Sequence, residues 1–291
     1  MEPGQYVLAV SGGVDSMVLL NLLQQQPGVR LTVAHFDHGI RDDSVDDRRL
    51  VQSAARFYGI PFVYHEAELG EGASEAAARK ARYEFLQKVR SASGARAIIT
   101  AHHQDDLLET AILNMLRGTG RRGLHSLRNR SGLIRPLLWV PKIDIVNYAR
   151  DRDLIWREDS TNNDERYARN YVRQRIMPRL DNAARGKFMD IINQSQLVND
   201  ELDQQLVHAL HLQPEAHRID RRWFASLPHS VAREVMATWL REHGLRDFDR
   251  ATLERLVVHA KTQAAGQRVD ILRNHWLHIH GDHLSFSRDT L

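Results

Sequence analysis

The chain has 291 residues, 42% of them hydrophobic and 26% charged, with a formal net charge of +3, as in an ordinary globular protein with room for two domains. It contains no cysteine, so disulfides, cysteine-bound zinc, iron–sulfur clusters and thiol nucleophiles are excluded. It shows neither a signal peptide nor an apolar run near the ~18 residues of a membrane span, so we expect a cytoplasmic protein that has no membrane partner.

The first half of the chain alternates apolar runs with helical patterns. Short apolar runs predict strands at residues 6–10, 31–35, 61–64 and 97–101. Helical patterns follow these runs, beginning at Met17 and continuing at residues 44–58, 74–89 and 105–117. Strands separated by helices predict an α/β fold with a doubly wound parallel sheet, in which ligands bind beyond the carboxyl ends of the strands.

The second half has a different character. A loop rich in glycine and arginine at residues 118–131 leads to an extended piece at 133–140 and a helix at 142–153. Helical patterns then dominate residues 170–261, and strand-like pieces follow at 267–272, 276–280 and 284–287. We therefore expect a smaller, mainly helical second domain, with the boundary after residue 182.

A glycine-rich turn joins the first strand to the first helix. It consists of Ser11, Gly12, Gly13, Val14, Asp15 and Ser16. Free amides at a helix N-terminus bind anions, and glycines let the backbone approach phosphate oxygens. The turn matches neither the Walker loop nor the dinucleotide fingerprint. Asp15 would repel phosphates unless a divalent cation lay between them, so we assign Asp15 to Mg²⁺.

Histidines and carboxylates cluster where the second and fourth strands end, within residues 35–41 (HFDHGIR) and 101–110 (AHHQDDLLET). Asp106 and Glu109 are three residues apart and share one face of the predicted helix. Two other interpretations stay open at this point. The helix dipole favours carboxylates in a first helical turn, so Asp105 can be a simple cap. The same groups could form a metal-hydrolase site, although that would leave the phosphate loop unexplained.

Seven segments, taken in order, resemble the tRNA(Ile)-lysidine synthetases of the N-type ATP pyrophosphatase (PP-loop) superfamily. They are 11–16 (SGGVDS), 35–41, 75–86 (EAAARKARYEFL), 101–110, 117–124 (RGTGRRGL), 134–138 (IRPLL) and 158–178, which begins EDSTNND. The tail is similar to that family's substrate-binding domain only loosely. The resemblance implies a PP-loop ATP-binding catalytic domain over residues 1–182 and a tRNA-binding domain over residues 183–291, in a short or truncated member.

The resemblance also implies a reaction. ATP would adenylate the C2 oxygen of the first-anticodon-position cytidine in an isoleucine tRNA with the anticodon CAU, and free L-lysine would then displace AMP. The phosphate loop would hold ATP and Mg²⁺, while Asp106 and Glu109 would bind or deprotonate the lysine amine. Arg82 would contact the activated cytidine or phosphates, and Arg169 and Arg173 the RNA. A homodimer stays open.

The roles of the two carboxylates are assigned from the protonation state of the lysine amine. Its pKa is about 10.4, so only about one molecule in 2,500 is nucleophilic at pH 7. One carboxylate must therefore act as a base. We choose Glu109 as base and Asp106 as anchor, and the reverse assignment stays open.

Arginine dominates the basic residues, since only five of the 40 are lysine. Arginine suits phosphate contacts, so an RNA partner fits, but an arginine-biased composition alone would look the same. The loop after the fourth helix would supply RNA contacts through Arg117, Arg121 and Arg122.

Three other functions agree less well with the sequence than lysidine formation does. A tRNA thiolase of the same superfamily is disfavoured by the absence of cysteine. Synthetases that act on small molecules lack the segments at 75–86, 117–124 and 158–164. A noncatalytic RNA-binding module is disfavoured because Asp15, Asp106 and Glu109 are all present, and an ATP-to-AMP turnover assay would decide.

Overall fold

The computed structural model describes residues 1–37, 44–67, 75–157, 168–211, 218–246, 248–272 and 274–288. The motif residues 38–41 and 158–167, and the expected helix start at Ser74, lie outside the described residues. The chain divides into two compact units, Met1–Ser195 and Gln196–Leu291. Among the described residues, no helix combines the length and the apolar character needed to span a membrane.

The first unit contains a five-stranded sheet in which every neighbouring pair is parallel. Its strands are β1 (Gly4–Ala9), β2 (Val29–Asp37), β3 (Phe62–Glu66), β4 (Ala97–Ile99) and β5 (Leu133–Ile134). Their order is β3-β2-β1-β4-β5, so the direction of winding reverses between β1 and β4. In open sheets of this kind the reversal marks the crevice where ligands bind.

Helices cover both faces of this sheet. They are α1 (Val14–Leu23), α2 (Ser44–Phe57), α3 (Glu75–Ala92), α4 (Gln104–Leu116) and α5 (Lys142–Asp151). Neighbouring residues of β1 point to opposite faces. Leu8 accordingly packs in a cluster with Leu20 and Ile145, whereas Val7 packs in another with Leu86. The expected doubly wound α/β fold is confirmed.

A third cluster extends the first unit beyond α5. A short helix α6 (Ala168–Tyr171) continues into a π-helical turn (Val172–Ile176) and a 3-10 turn (Met177–Arg179). Val172 and Met177 pack against α4 together with Met189 and Ile192. The first unit therefore needs residues well beyond position 180 to complete its core.

The second unit combines helices with a small antiparallel sheet. Its elements are the second half of α7 (Asn182–His211), β6 (Arg218–Asp220), α8 (Arg221–Ser226), α9 (His229–Glu242), α10 (Arg250–Thr262), β7 (Gln267–Leu272), β8 (His275–Ile279) and β9 (His283–Arg288). The strand order is β6-β9-β8-β7. Phe224, Met236 and Leu256 of the helices pack on Ile271 and Leu277 of the sheet.

Two details differ from the sequence-based expectation. The extended piece expected at 133–140 is a strand only at Leu133–Ile134, and consecutive turns follow it, with Val140 donating to the carbonyl of Leu137 at 2.8 Å. Pro136 lacks an N–H and cannot extend a ladder, so the strand ends early. The three-residue strand β6 was not predicted, because so short a segment leaves no periodic pattern.

Candidate active site

The phosphate loop closes on itself between β1 and α1. The carbonyl of Gly13 accepts the N–H groups of Ser16 and Met17 at 3.1 Å and the Ser16 hydroxyl at 2.9 Å. The Ser16 hydroxyl also accepts the N–H of Ser11 at 3.2 Å. Gly12 has φ +95°, a conformation that residues with a Cβ rarely adopt. The loop is thus a closed turn at the N-terminus of α1, a position at which free amides can bind an anion.

Arg157, which is distant in sequence, contacts the phosphate loop through its backbone and through Asp47. The N–H of Arg157 donates to the carbonyl of Gly12 at 3.1 Å. The Arg157 side chain pairs with the buried Asp47 of α2 at 2.8 Å, and Asp47 lies where a Cβ on Gly12 would meet it at 3.6 Å. Gly12 is therefore fixed by two segments that the sequence pattern does not connect with the loop.

Asp15 is paired with a lysine that sequence reasoning missed as a site residue. Lys142 Nζ donates to Asp15 Oδ1 at 2.5 Å. Lys142 is the first residue of α5, which packs against α1 and is tied to it by the Tyr148 hydroxyl donating to Asn21 at 2.9 Å. The ammonium neutralises the one carboxylate that would otherwise repel phosphates from the loop.

His103 links Asp15 to Asp106. Its Nε2 lies 3.6 Å from Asp15 Oδ2 and 3.5 Å from Asp106 Oδ2. At the same time His103 is the N-cap of α4: its Nδ1 accepts the N–H of Asp105 at 3.2 Å, and Asp106 accepts the N–H of His103 at 3.0 Å. Asp106 is therefore the capping carboxylate, and its other oxygen lies 3.8 Å from Arg173 Nη2. Asp105, for which a simple cap was the alternative, pairs instead with Arg185 at 2.9 Å.

Glu109 is buried, with 2% of its surface exposed, and forms a bidentate ion pair with Arg173. Arg173 Nε and Nη2 donate to its two oxygens at 2.7 and 2.9 Å, and Arg169 Nε lies 3.6 Å away. Arg169 also donates to Thr110 at 3.0 Å. Burial raises the pKa of Glu109, against the opposing hydrogen bonds from Arg173. The structure places both arginines, expected at the RNA, against Glu109.

Three arginines lie near His102. Arg79 and Arg82 of α3 stand over the Tyr83 ring at 5.0 and 5.5 Å from its centroid. Arg135, directly after β5, is 1% exposed. Burial, helped by these nearby arginines, lowers the pKa of His102, whose Nδ1 is 2.8 Å from Thr100 Oγ1. His102 is therefore neutral near pH 7.

The basic loop after α4 is folded onto that helix. Asn114 donates to the Gly123 carbonyl at 2.9 Å and to the Ser126 hydroxyl at 2.8 Å. A Cβ on Gly123 would lie 1.8 Å from Thr119 Oγ1, so only glycine fits there. Arg117 is exposed, while Arg121 and Arg122 are half-buried. Within the described residues this loop has a definite packing of its own.

The carboxylates fit a magnesium ion that is shared with substrate phosphates. Asp15 and Asp106 both approach His103 Nε2, and Asp15 stands in the first turn after the phosphate loop. Mg²⁺ is usually held by one or two carboxylates together with substrate phosphates and waters. No group of three or more His, Asp or Glu side chains suited to a metal occurs in the part of the chain that the structure describes. Two carboxylates alone would hold Mg²⁺ only together with substrate phosphates and waters.

The chain matches one family model and many curated proteins. Residues 1–180 match the family described as the PP-loop domain. A tRNA(Ile)-lysidine synthase of Thermotoga sp. (strain RQ2) is 40% identical over 189 residues, which are 61% of this chain and 46% of that protein. A tRNA(Ile)-lysidine synthase of Exiguobacterium sibiricum is 34% identical over 252 residues, 84% of this chain and 60% of that protein. The chain spans about half the length of these curated relatives.

A solved structure supports the fold. The U34-tRNA thiolase NcsA from Methanococcus maripaludis with its 4Fe-4S cluster has a TM-score of 0.57 and 17% identity, covering 68% of this chain and 73% of the thiolase. At this identity the likeness concerns the fold alone. The sequence matches confirm the resemblance seen in the motifs.

Proposed function

Because the chain belongs to the PP-loop domain family, we propose that it is an ATP-dependent ligase that forms lysidine in an isoleucine tRNA. The names of its relatives support this substrate. The observation that carries the proposal is the direct connection of the phosphate loop to two carboxylates, through Asp15, His103 and Asp106. A nucleotide activated at the loop would lie beside groups able to bind an amine.

The first step is adenylation of the cytidine. The C2 oxygen attacks the α-phosphorus of ATP, and pyrophosphate leaves toward the loop amides and the hydroxyls of Ser11 and Ser16. Asp15 and the phosphates would hold Mg²⁺, which would supply charge stabilisation for the leaving pyrophosphate. Arg82 contacts the activated cytidine or its phosphate. Lys142, next to Asp15, keeps the loop from carrying a net negative charge before the nucleotide binds.

The second step is attack by lysine. The amine nitrogen bonds to C2, the C2–O bond breaks, and AMP leaves with that oxygen. The amine proton goes to Glu109, whose pKa is raised by burial as a base requires. Asp106 holds the ammonium before proton transfer. Glu109 can accept the proton only after Arg173 releases one of its two oxygens, so the pair must open during the step.

The RNA contacts of this proposal come from the basic loop after α4, through Arg117, Arg121 and Arg122. Arg169 and Arg173 serve the reaction centre and the RNA next to it. The CAU anticodon is implied by the family resemblance and stays a prediction, as does the cytoplasmic location expected from the sequence, and a homodimer stays open. Thiolation is an alternative, because the structurally similar NcsA is a tRNA thiolase with a 4Fe-4S cluster. This chain, however, has no cysteine that could bind a cluster or carry sulfur.

The test is an incubation of the full chain with ATP, radiolabelled lysine and total tRNA, followed by identification of the labelled RNA. We expect label in one isoleucine tRNA, together with AMP. An Asp15→Asn variant should keep its fold and lose AMP formation by orders of magnitude, because a lost metal ligand removes several kcal/mol of charge stabilisation. Unlabelled tRNA, or AMP formation by the variant at the wild-type rate, would overturn the proposal.

A further inference from the structure

The proposed reaction leaves a buried guanidinium without a role. Arg135 is among the largest fully buried side chains of the described residues. One of its nitrogens, Nη1, donates to the carbonyl of Arg128, while its Nε and Nη2 are buried and have no hydrogen-bond partner among the described residues. Burial also lowers the pKa of Arg135. A desolvated guanidinium with two unused donors is costly unless a ligand supplies the acceptor.

The described residues around Arg135 provide further hydrogen-bond donors. The buried hydroxyl of Tyr83 lies close enough to the Arg135 guanidinium to affect its pKa, but it forms no hydrogen bond of normal geometry with a described residue. Arg82 and Arg79 stand over the Tyr83 ring. His102, the neighbour of these arginines, is held neutral because burial lowers its pKa. Such a set of donors is suited to an oxyanion, and a carboxylate would satisfy both free donors of a guanidinium at once.

We propose that Arg135 and the Tyr83 hydroxyl bind the carboxylate of the free amino acid that the enzyme joins to RNA. The inference rests on the proposed function and adds the group by which the small substrate is recognised. Arg82 and Arg79 strengthen the positive potential around this carboxylate subsite.

Charge decides between an amino acid and an RNA phosphate as the source of the oxyanion. Asp106 lies 3.5 Å from His103, the residue next to His102, so a negative side chain is near the subsite. A phosphodiester carries only negative charge and would be repelled by Asp106 and Glu109. A zwitterionic amino acid places its ammonium groups toward these carboxylates and its carboxylate toward Arg135. The bipolar arrangement therefore favours the amino acid.

The experiment removes the carboxylate from the ligand and the guanidinium from the protein in turn. Calorimetry with the full chain and a nonhydrolysable ATP analogue compares L-lysine with 1,5-diaminopentane, which lacks the carboxylate. Arg135→Gln should weaken lysine binding about tenfold or more, the loss expected for a charged hydrogen bond, and leave diaminopentane binding unchanged. Arg96→Gln, at an exposed pair with Glu2, should change neither.

Other results would overturn the proposal. Equal weakening of both ligands would mean that Arg135 acts through the fold, and weaker tRNA binding with unchanged lysine binding would assign the subsite to an RNA phosphate. Tyr83→Phe repeats the comparison without removing a charge, should Arg135→Gln fail to fold. A wild-type chain that labels tRNA but binds lysine and diaminopentane equally would refute the carboxylate subsite while leaving the proposed function intact.

Discussion

His102 and His103 are neighbours in sequence, but their side chains lie in different surroundings. His103 lies between two carboxylates, whereas His102 is buried and lies near the arginines. The backbone at His103 is extended, with φ −124° and ψ −174°, so successive side chains point to opposite sides. One peptide step at the end of β4 thus separates a histidine that contacts two carboxylates from one that is buried and held neutral.

Glu109 allows the two half-reactions to be separated. A Glu109→Gln variant should form adenylated tRNA at nearly the wild-type rate and transfer lysine about 10² to 10⁴ times more slowly, because the base is needed only when the amine attacks. Single-turnover measurement of both steps is the check. Glu84→Gln, on the exposed side of α3, serves as control. Equal loss of both steps would assign Glu109 to the nucleotide or the metal.

His35 predicts a pH dependence of stability. It is 3% exposed, its Nδ1 lies 2.9 Å from the carbonyl of Val10, and burial lowers its pKa below 6.5. Below pH 6.5 the unfolded chain therefore binds a proton that the folded chain does not. As the pH decreases below 6.5, the free energy of unfolding should therefore decrease by up to about 1.4 kcal/mol per pH unit, until the pH reaches the pKa of His35 in the folded chain.

Denaturant unfolding between pH 7.5 and 5.5, in steps of roughly half a unit, measures this slope. His35→Gln should flatten it by the equivalent of one proton. His211→Gln removes a histidine whose side chain is 66% exposed and should leave the slope as in the wild type. A His35→Gln chain with the wild-type slope would show that other groups account for the pH dependence.

At the scale of elements, α4 combines a cap with a chemical group, and two variants of Asp106 separate these roles. Asp106→Ala removes the oxygen that accepts the N–H of His103 and should destabilise the chain by about 1 kcal/mol. Asp106→Asn keeps an acceptor and should cost much less. Both should lose lysine binding, as calorimetry would show. Normal lysine binding by Asp106→Asn would reduce Asp106 to a cap.

The strands, the helices and the phosphate loop could be predicted because each depends on residues that are close in sequence. Lys142 and Arg173 could not be assigned to their partners in this way. They pair with Asp15 and Glu109 across 127 and 64 residues, and a charged residue at a helix start resembles any solvated one. Arg173 was expected at the RNA because its pairing with Glu109 has no local signal.

For the whole molecule, the division after Ser195 determines where a truncated chain should end. A chain that ended at the boundary expected from the sequence, after residue 182, would lack Met189 and Ile192, which pack with α4. A chain ending at Ser195 should keep the nucleotide site and lose most tRNA affinity, because the second unit carries exposed arginines such as Arg222 and Arg250.

Titration of tRNA into both chains across a salt series checks this expectation. Each lost phosphate contact should reduce the slope of log affinity against log salt by about one unit. ATP affinity and the circular dichroism spectrum serve as controls for folding. Superimposable salt curves would show that the second unit does not bind RNA, and would assign the contacts to the loop with Arg117, Arg121 and Arg122.

The phosphate loop is short, but its supports come late in the chain. Gly12 is held by Arg157, and Asp15 is paired with Lys142, 127 residues further on. During synthesis the loop leaves the ribosome well before these partners do, so a nascent chain contains the motif without the site. Pairings of such separation also close slowly in refolding, since the intervening chain must first be ordered. ATP should therefore stabilise the completed domain and have little effect on partly synthesised or partly folded chains.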